Sequence, residues 1–294
     1  MSGNRAHSVR ARLLNLAKVQ GADFNQVLVR FGLERLLYRL GQSAHAERFL
    51  LKGALLFTLW YDMPHRTTRD ADLLGFGASD LPSLVKTFRE IVAVEVDDGV
   101  SFDPDSVEVE EIRKDAAYAG ARVTLRGELA GARLKAQVDV GFGDVVTPGP
   151  VDAVFPVLLE DLPAPSLRTY PVYTVVAEKL HAIALLGMTN SRMKDYLDLS
   201  VLLEREDLDS ETLAAAIGAT FTRRGMVMPD TWPIGLTDEF GVDPSKRALW
   251  RAFLKKNDLQ SAVDLSELVA QLRGGLEEAI RLAVQRGRPG TDLP

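Results

Sequence analysis

Apolar residues recur at helical spacing over residues 8–20 and again over 24–40, and this predicts two amphipathic helices. Gly21-Ala-Asp23 separates them and Gly41-Gln-Ser43 follows. A third helix is expected from His45 to about Trp60, then a short loop, then a strand in the apolar run Ala71 to Phe76. Ser79 to Val92 reads as another helix, with Ser79 or Asp80 as its N-cap. The period then changes to two near residues 106–113, 118–129 and 132–141, which predicts strands joined by turns containing Gly131. The last of these alternates most clearly, with Leu134, Ala136, Val138 and Val140 on one face and Lys135, Gln137 and Asp139 on the other.

Five prolines, Pro148, Pro150, Pro156, Pro163 and Pro165, fall between Thr147 and Ser166. They mark a passage from sheet to helices, with a boundary near 165. Beyond it a helix is expected over Thr174 to Leu186, stopped by Gly187. A second starts at Asn190 or Ser191 and runs to about Glu204, and Ser210–Thr220 and Ser266–Gln285 are further helices. The Gly/Pro-rich end, 286–294, is expected to fray, and no internal repeat is visible. The chain therefore reads as α+β: residues 1–165 form an α/β domain with N-terminal helices and a mixed sheet, and 166–294 a mainly helical domain.

Composition narrows the function classes. With 294 residues, 46% of them hydrophobic, the chain can fill a substantial core. It has no cysteine, which excludes disulfides and Cys-based zinc sites. No stretch approaches 18 uninterrupted apolar residues, and the N-terminus lacks an apolar signal region. A cytoplasmic protein with no membrane attachment is expected. The formal charge of −6 argues against general affinity for nucleic acid. Cations still gather locally, at Arg5, Arg10, Arg12 and Lys18, at Arg66 and Arg69, at Arg223 and Arg224, and at Lys255 and Lys256. Such groups are more often solvated surface than binding faces.

Candidate chemistry begins at Asp70 and Asp72. On a strand they share a face, about 7 Å apart, and adjacent carboxylates repel unless a cation neutralises them. Mg²⁺ suits the pair, because it is typically held by one or two carboxylates plus substrate phosphates; a nucleoside triphosphate is the first ligand to consider. Asp139 could join them from a neighbouring strand, as two-metal phosphoryl chemistry requires, or could simply be an exposed strand residue. Lys179, inside an apolar helix, is either a snorkelling surface residue or a point charge for phosphate. Asp195 and Asp198 are three residues apart and share a helix face with Arg192; one acid could orient a cation while the other reaches a reaction centre, or Arg192 and Asp195 could form an ordinary helical ion pair. His65, Arg66 and Arg69 could hold phosphate or balance the acid pair. His181 reads as a packing residue.

Five motifs occur in order: Leu51-Lys-Gly-Ala54, Arg69-Asp-Ala-Asp72, Gln137-Val-Asp-Val-Gly-Phe-Gly-Asp144, Val175-Val-Ala-Glu-Lys-Leu180 and Arg192-Met-Lys-Asp-Tyr-Leu-Asp-Leu199. Together they resemble the AbiEii/AbiGii toxin family of nucleotidyltransferase-like proteins, which is similar in turn to the MenT-type toxins. The resemblance implies a DNA polymerase β-like nucleotidyltransferase core with a helical C-terminal half that completes the active site. It implies toxins of type IV toxin–antitoxin pairs or phage-defence effectors that add nucleotides to the 3′ acceptor end of tRNA. On that analogy Asp70 and Asp72 would hold Mg²⁺ or Mn²⁺, Lys179 would contact nucleotide phosphates and Asp198 would be a further essential acid; the reading of the residues adds Asp139 as a metal ligand and Asp195 as the second candidate acid. Lys52, Gly53, Arg66, Arg69, Lys179 and Arg192 would contact the nucleotide. The expected partners are a nucleoside triphosphate, an RNA (tRNA foremost) and an antitoxin from an adjacent gene. One departure is visible, because Gly53 is followed by Ala54 and Leu55 where the family carries Ser or Thr. A protein-side-chain acceptor, or a nucleotide- or partner-binding regulator without catalysis, are the alternatives.

Overall fold

Helix α1 (Ser2–Gln20) ends at Gly21, whose φ of +62° suits glycine. Helix α2 (Phe24–Gln42) begins where the Asp23 carboxylate accepts the N–H groups of Asn25 and Gln26, the capping expected of a short acidic side chain. The computed structural model describes residues 2–61, 68–115, 118–259 and 263–287. The chain divides into two units, Met1–Gly143 with Pro150–Tyr170, and Asp144–Gly149 with Pro171–Pro294.

Within the first unit α2 is buried on nearly every side rather than along one stripe, and Glu34, Arg35 and Arg39 are buried with it. Burial of charge requires partners, and they are present. Arg39 donates to both oxygens of Asp98, at 2.7 and 3.1 Å, and to the Val100 carbonyl at 3.0 Å. Arg35 lies 2.6 Å from Glu34 and donates to the Pro163 carbonyl, while Glu34 accepts the Leu158 N–H.

The expected helix from His45 to Trp60 is replaced by three elements. A single 3₁₀ turn at Ala46–Arg48 leads into strand β1 (Phe49–Lys52), and helix α3 (Leu55–Tyr61) follows. Phe49, Leu50 and Leu51 are all buried, and a continuous apolar run fits a fully buried strand as well as a helix. Gly53, with φ +75°, ends the strand in a conformation that a helix interior cannot contain.

The chain then forms β2 (Ala71–Gly75), α4 (Leu81–Val92), β3 (Ser101–Asp115), β4 (Tyr118–Leu129), β5 (Ala132–Phe142), β6 (Val151–Val154) and β7 (Ser166–Thr169). These strands and β1 make one mixed sheet in the order β3-β4-β5-β2-β1-β7-β6, and the architecture is α+β. β3, β4 and β5 form an antiparallel meander; β5 runs parallel to β2, β2 antiparallel to β1, and β1 parallel to β7. The short strands β6 and β7 flank the proline-rich stretch and carry the sheet to an edge, where proline is tolerated. Helix α2 packs against β5. A methyl on Gly32 would lie 3.3 Å from Leu134, so the apolar side of β5 faces the helix and the side bearing Asp139 faces away.

The second unit is helical: α5 (Val172–Leu186), α6 (Met193–Arg205), α7 (Ser210–Arg223), α8 (Asp238–Val242), α9 (Pro244–Lys256) and α10 (Leu265–Gly287). α5 packs on α6 and α7, and α10 packs on α6, α7 and α8. Val172–Thr189 has the length and apolarity of a membrane span. It nevertheless carries Glu178 and Lys179, and its apolar residues Val175, Val176, Leu180 and Ile183 are buried within the protein. α8 and α9 lie where no particular helix was predicted.

Candidate active site

Strand register builds the first cluster. Lys52 on β1 is the antiparallel partner of Asp72 on β2, Asp72 is the parallel partner of Asp139 on β5, Asp139 pairs with Arg122 on β4, and Arg122 with Glu110 on β3. Residues at the same register level point to the same side of a sheet. The five side chains therefore form a cross-strand row of charge on the face opposite α2. Asp70, two positions before Asp72, lies at the mouth of this row, where its Oδ1 accepts from the Thr68 hydroxyl at 2.9 Å.

Both cations of the row are tied down. Lys52 donates to the Tyr170 hydroxyl at 3.1 Å, with its ammonium 4.8 Å from the ring centroid. Arg122 donates through Nε and Nη2 to the two oxygens of Asp139, at 2.9 and 3.0 Å. This bidentate bond raises the affinity of Arg122 for its proton above the ordinary guanidinium value, with further attraction from Glu110 and Asp70. Asp139 was expected to offer its oxygens to a metal. Each accepts one hydrogen bond from Arg122, and Asp70 and Asp72 are half-exposed beside it, where a cation could reach them. Among the described residues no group of three acidic or imidazole side chains is placed to hold a metal. Two carboxylates completed by phosphate oxygens and water are nonetheless the usual arrangement for Mg²⁺, and this pair fits that requirement.

Gly53 meets the row at Asp72. A methyl group added to it would lie 2.2 Å from Asp72 Oδ2, so the backbone passes directly beside the carboxylate. Ala54 and Leu55, which follow Gly53, are both buried. Arg69 is exposed next to Asp70, while His65 and Arg66 lie outside the described residues.

The second cluster lies in the helical unit. Lys179 on α5 donates to Asp198 at 2.6 Å and to Asp195 at 3.1 Å, and both acids are on α6. Their side chains are 0% and 1% exposed, against 13% for the lysine. Arg192 lies 2.8 Å from Asp195, so two cations balance two carboxylates and the helical ion pair forms as well. Asn190 accepts the Arg192 N–H at 2.8 Å, and α6 begins at Met193, later than expected. A neighbouring network joins Arg224 to Asp144 at 2.9 Å and to Glu178 at 3.4 Å. His181 is buried and packs edge-on to Phe221.

Arg122 was not singled out by sequence, yet a signal existed. Ala130 and Gly131 both have positive φ, at 46° and 81°, the geometry of a two-residue hairpin turn. Counting back from that turn pairs Arg122 with Asp139. Arg122→Leu is expected to cost about 3 kcal/mol, because it removes the bidentate cation from a buried carboxylate. Arg122→Lys should recover only part of this, since an ammonium lacks the planar fork. Urea denaturation of the two variants measures both values, and a loss below about 1 kcal/mol for the leucine variant would show that the pair contributes little.

The sequence profile of a family described as the nucleotidyl transferase AbiEii toxin of type IV toxin–antitoxin systems matches residues 35–270. No curated protein matches the chain. Two crystal structures of Helicobacter pylori proteins are similar in fold. One, assigned provisionally as a nucleotidyltransferase, is 14% identical with a TM-score of 0.45, over 86% of this chain and 94% of that one. The other, JHP933, is 14% identical with a TM-score of 0.46, over 86% of this chain and 90% of that one.

Proposed function

The chain belongs to the AbiEii family of nucleotidyltransferase toxins of type IV toxin–antitoxin systems, and from that premise we propose that it transfers a nucleoside monophosphate from a nucleoside triphosphate to an RNA end, the 3′ acceptor of tRNA. Family membership implies a triphosphate substrate and an antitoxin partner. The observation that best supports the finer reading is the position of Asp72 within the charged row, between Lys52 and the Asp139–Arg122 pair, with Asp70 at its mouth.

Asp70 and Asp72 are the residues that would hold Mg²⁺ or Mn²⁺. A divalent cation there would neutralise the triphosphate and the leaving pyrophosphate. Arg122 holds the Asp139 carboxylate aligned beside Asp72. Lys52 and Arg69 flank the acids as phosphate contacts, and the backbone N–H groups after Gly53 offer donors that need no side-chain hydroxyl. In the helical unit, Lys179 is proposed as a point charge for a nucleotide phosphate. Asp195 and Asp198 fix the ammonium in position, with Asp198 as its closer partner. Arg192 balances Asp195 and is a second phosphate contact.

The test is incubation of the purified chain with total tRNA, Mg²⁺ and each of four α-labelled triphosphates in turn. Asp70→Ala/Asp72→Ala and Asp72→Asn are carried alongside. Label on tRNA with the wild type alone is the expected result, and it names the nucleotide. Equal labelling by the folded acid variants would overturn the assignment. Label on co-incubated protein would move the acceptor to a side chain, and triphosphate binding without transfer to any acceptor would make the chain a binding regulator.

A further inference from the structure

Helix α9, with the sequence Pro-Ser-Lys-Arg-Ala-Leu-Trp-Arg-Ala-Phe-Leu-Lys-Lys, contains five cations and no carboxylate in 13 residues, within a chain whose net charge is −6. Structural duties account for two of them. Lys246 is buried and donates to the Asn190 carbonyl at 3.1 Å, and Arg247 pairs with Asp264 at 2.9 Å. Arg251, Lys255 and Lys256 are exposed, and no carboxylate among the described residues pairs with them. Helix dipole effects favour cations in a last turn, which gives Lys255 and Lys256 a local reason to be there. Arg251 lies earlier and has no such reason.

Arg251 and Lys255 are one four-residue step apart, so they stand on the same side of the helix about 6 Å apart along its axis. That is the scale of neighbouring phosphates on a nucleic acid strand. Exposed Ala248 and Ala252 lie beside them, and such small side chains let a backbone approach closely. The other basic helix without acids, α1, has its Arg5 and Arg12 engaged by Asp161, and its exposed Arg10 and Lys18 stand eight residues apart rather than four.

We infer that the exposed face of α9 is an RNA-docking surface, with Arg251, Lys255 and Lys256 contacting the phosphodiester backbone without reading sequence. This rests on the RNA-acceptor reading above and names a surface that would grip the backbone of that substrate. Charge complementarity favours this occupant: three exposed cations on a helix free of acids suit a polyanion with evenly spaced charge.

Equilibrium binding of total tRNA to the full chain, without triphosphate and across a salt series, tests it. Arg251→Gln/Lys255→Gln/Lys256→Gln is expected to bind at least tenfold more weakly at low salt. The slope of log K against log salt should also become shallower by about two, as loss of three phosphate contacts on a single strand requires. Arg251→Lys/Lys255→Arg/Lys256→Arg, which keeps the charges, should bind as the wild type does. An unchanged slope and affinity in the glutamine variant, while the wild type still labels tRNA, would overturn the α9 assignment and leave the acceptor reading standing. A wild type that neither binds nor labels tRNA would overturn both. Loss of poly-glutamate binding with tRNA binding intact would assign α9 to an acidic protein partner, and so overturn it too.

Discussion

Lys179→Ala is expected to destabilise the helical unit by about 3–5 kcal/mol, because it leaves the side chains of Asp195 and Asp198, 1% and 0% exposed, without the ammonium between them. A buried carboxylate deprived of its cation loses the interaction and retains its desolvation cost. The second substitution that relieves this is Asp198→Asn. In the Lys179→Ala background it removes a buried charge from the position 2.6 Å from the lost ammonium. The double variant should then be more stable than the sum of the two single changes by about 1–3 kcal/mol. Urea denaturation of the four proteins gives that coupling directly. Strict additivity would mean that the three groups do not act as a unit. The result bears on catalysis as well, since an inactive Lys179→Ala protein says nothing about phosphate binding if the helical unit has opened. Lys179→Arg, which keeps a charge between the acids, is the variant whose activity can be read chemically.

Most of the fold follows from patterns that a single sequence carries, and the exceptions have physical causes. The alternation along β5 assigned Asp139 to the polar face because Lys135 and Gln137 share that side, although Asp139 itself is buried. Phe49-Leu-Leu51 misled because a strand buried on both faces has no alternation; only Gly53, read as a left-handed stop rather than a tolerated helix residue, could have separated β1 from α3. Glu34, Arg35 and Arg39 made α2 read as amphipathic, although their partners at Asp98, Leu158 and Pro163 are distant in sequence. Helix α9 escaped notice because of its length only Lys246 and Trp250 are buried, too few to set a period. In the first cluster Lys52, Gly53, Asp70, Asp72 and Asp139 were legible, whereas Arg122 required the register that the turn at Ala130 and Gly131 fixes.

Gly53→Ala is expected to abolish transfer while leaving the fold standing. Two effects combine at this position. The φ of +75° costs an alanine about 1–2 kcal/mol, and the new methyl would lie 2.2 Å from Asp72 Oδ2 and 2.8 Å from Asp72 Cβ and Cγ. No carbon approaches an oxygen that closely, so one of them must move. Leu50, Leu51, Leu73 and Leu74 are all buried to within 1% and hold the two strand backbones in place, which leaves the carboxylate as the part that yields. Misplacing a reacting group by about 1 Å can cost a hundredfold in rate, and a loss of at least that size is expected here. Gly131→Ala separates the two effects. Its φ is +81°, and nothing lies within 4 Å of the added methyl, so it carries the backbone penalty without the collision. Gly53→Ala should therefore lose more stability in urea than Gly131→Ala, and only Gly53→Ala should lose transfer activity. Equal activity in both would mean that the position of the Asp72 carboxylate does not set the rate, and the assignment of the charged row as the catalytic site would have to be withdrawn.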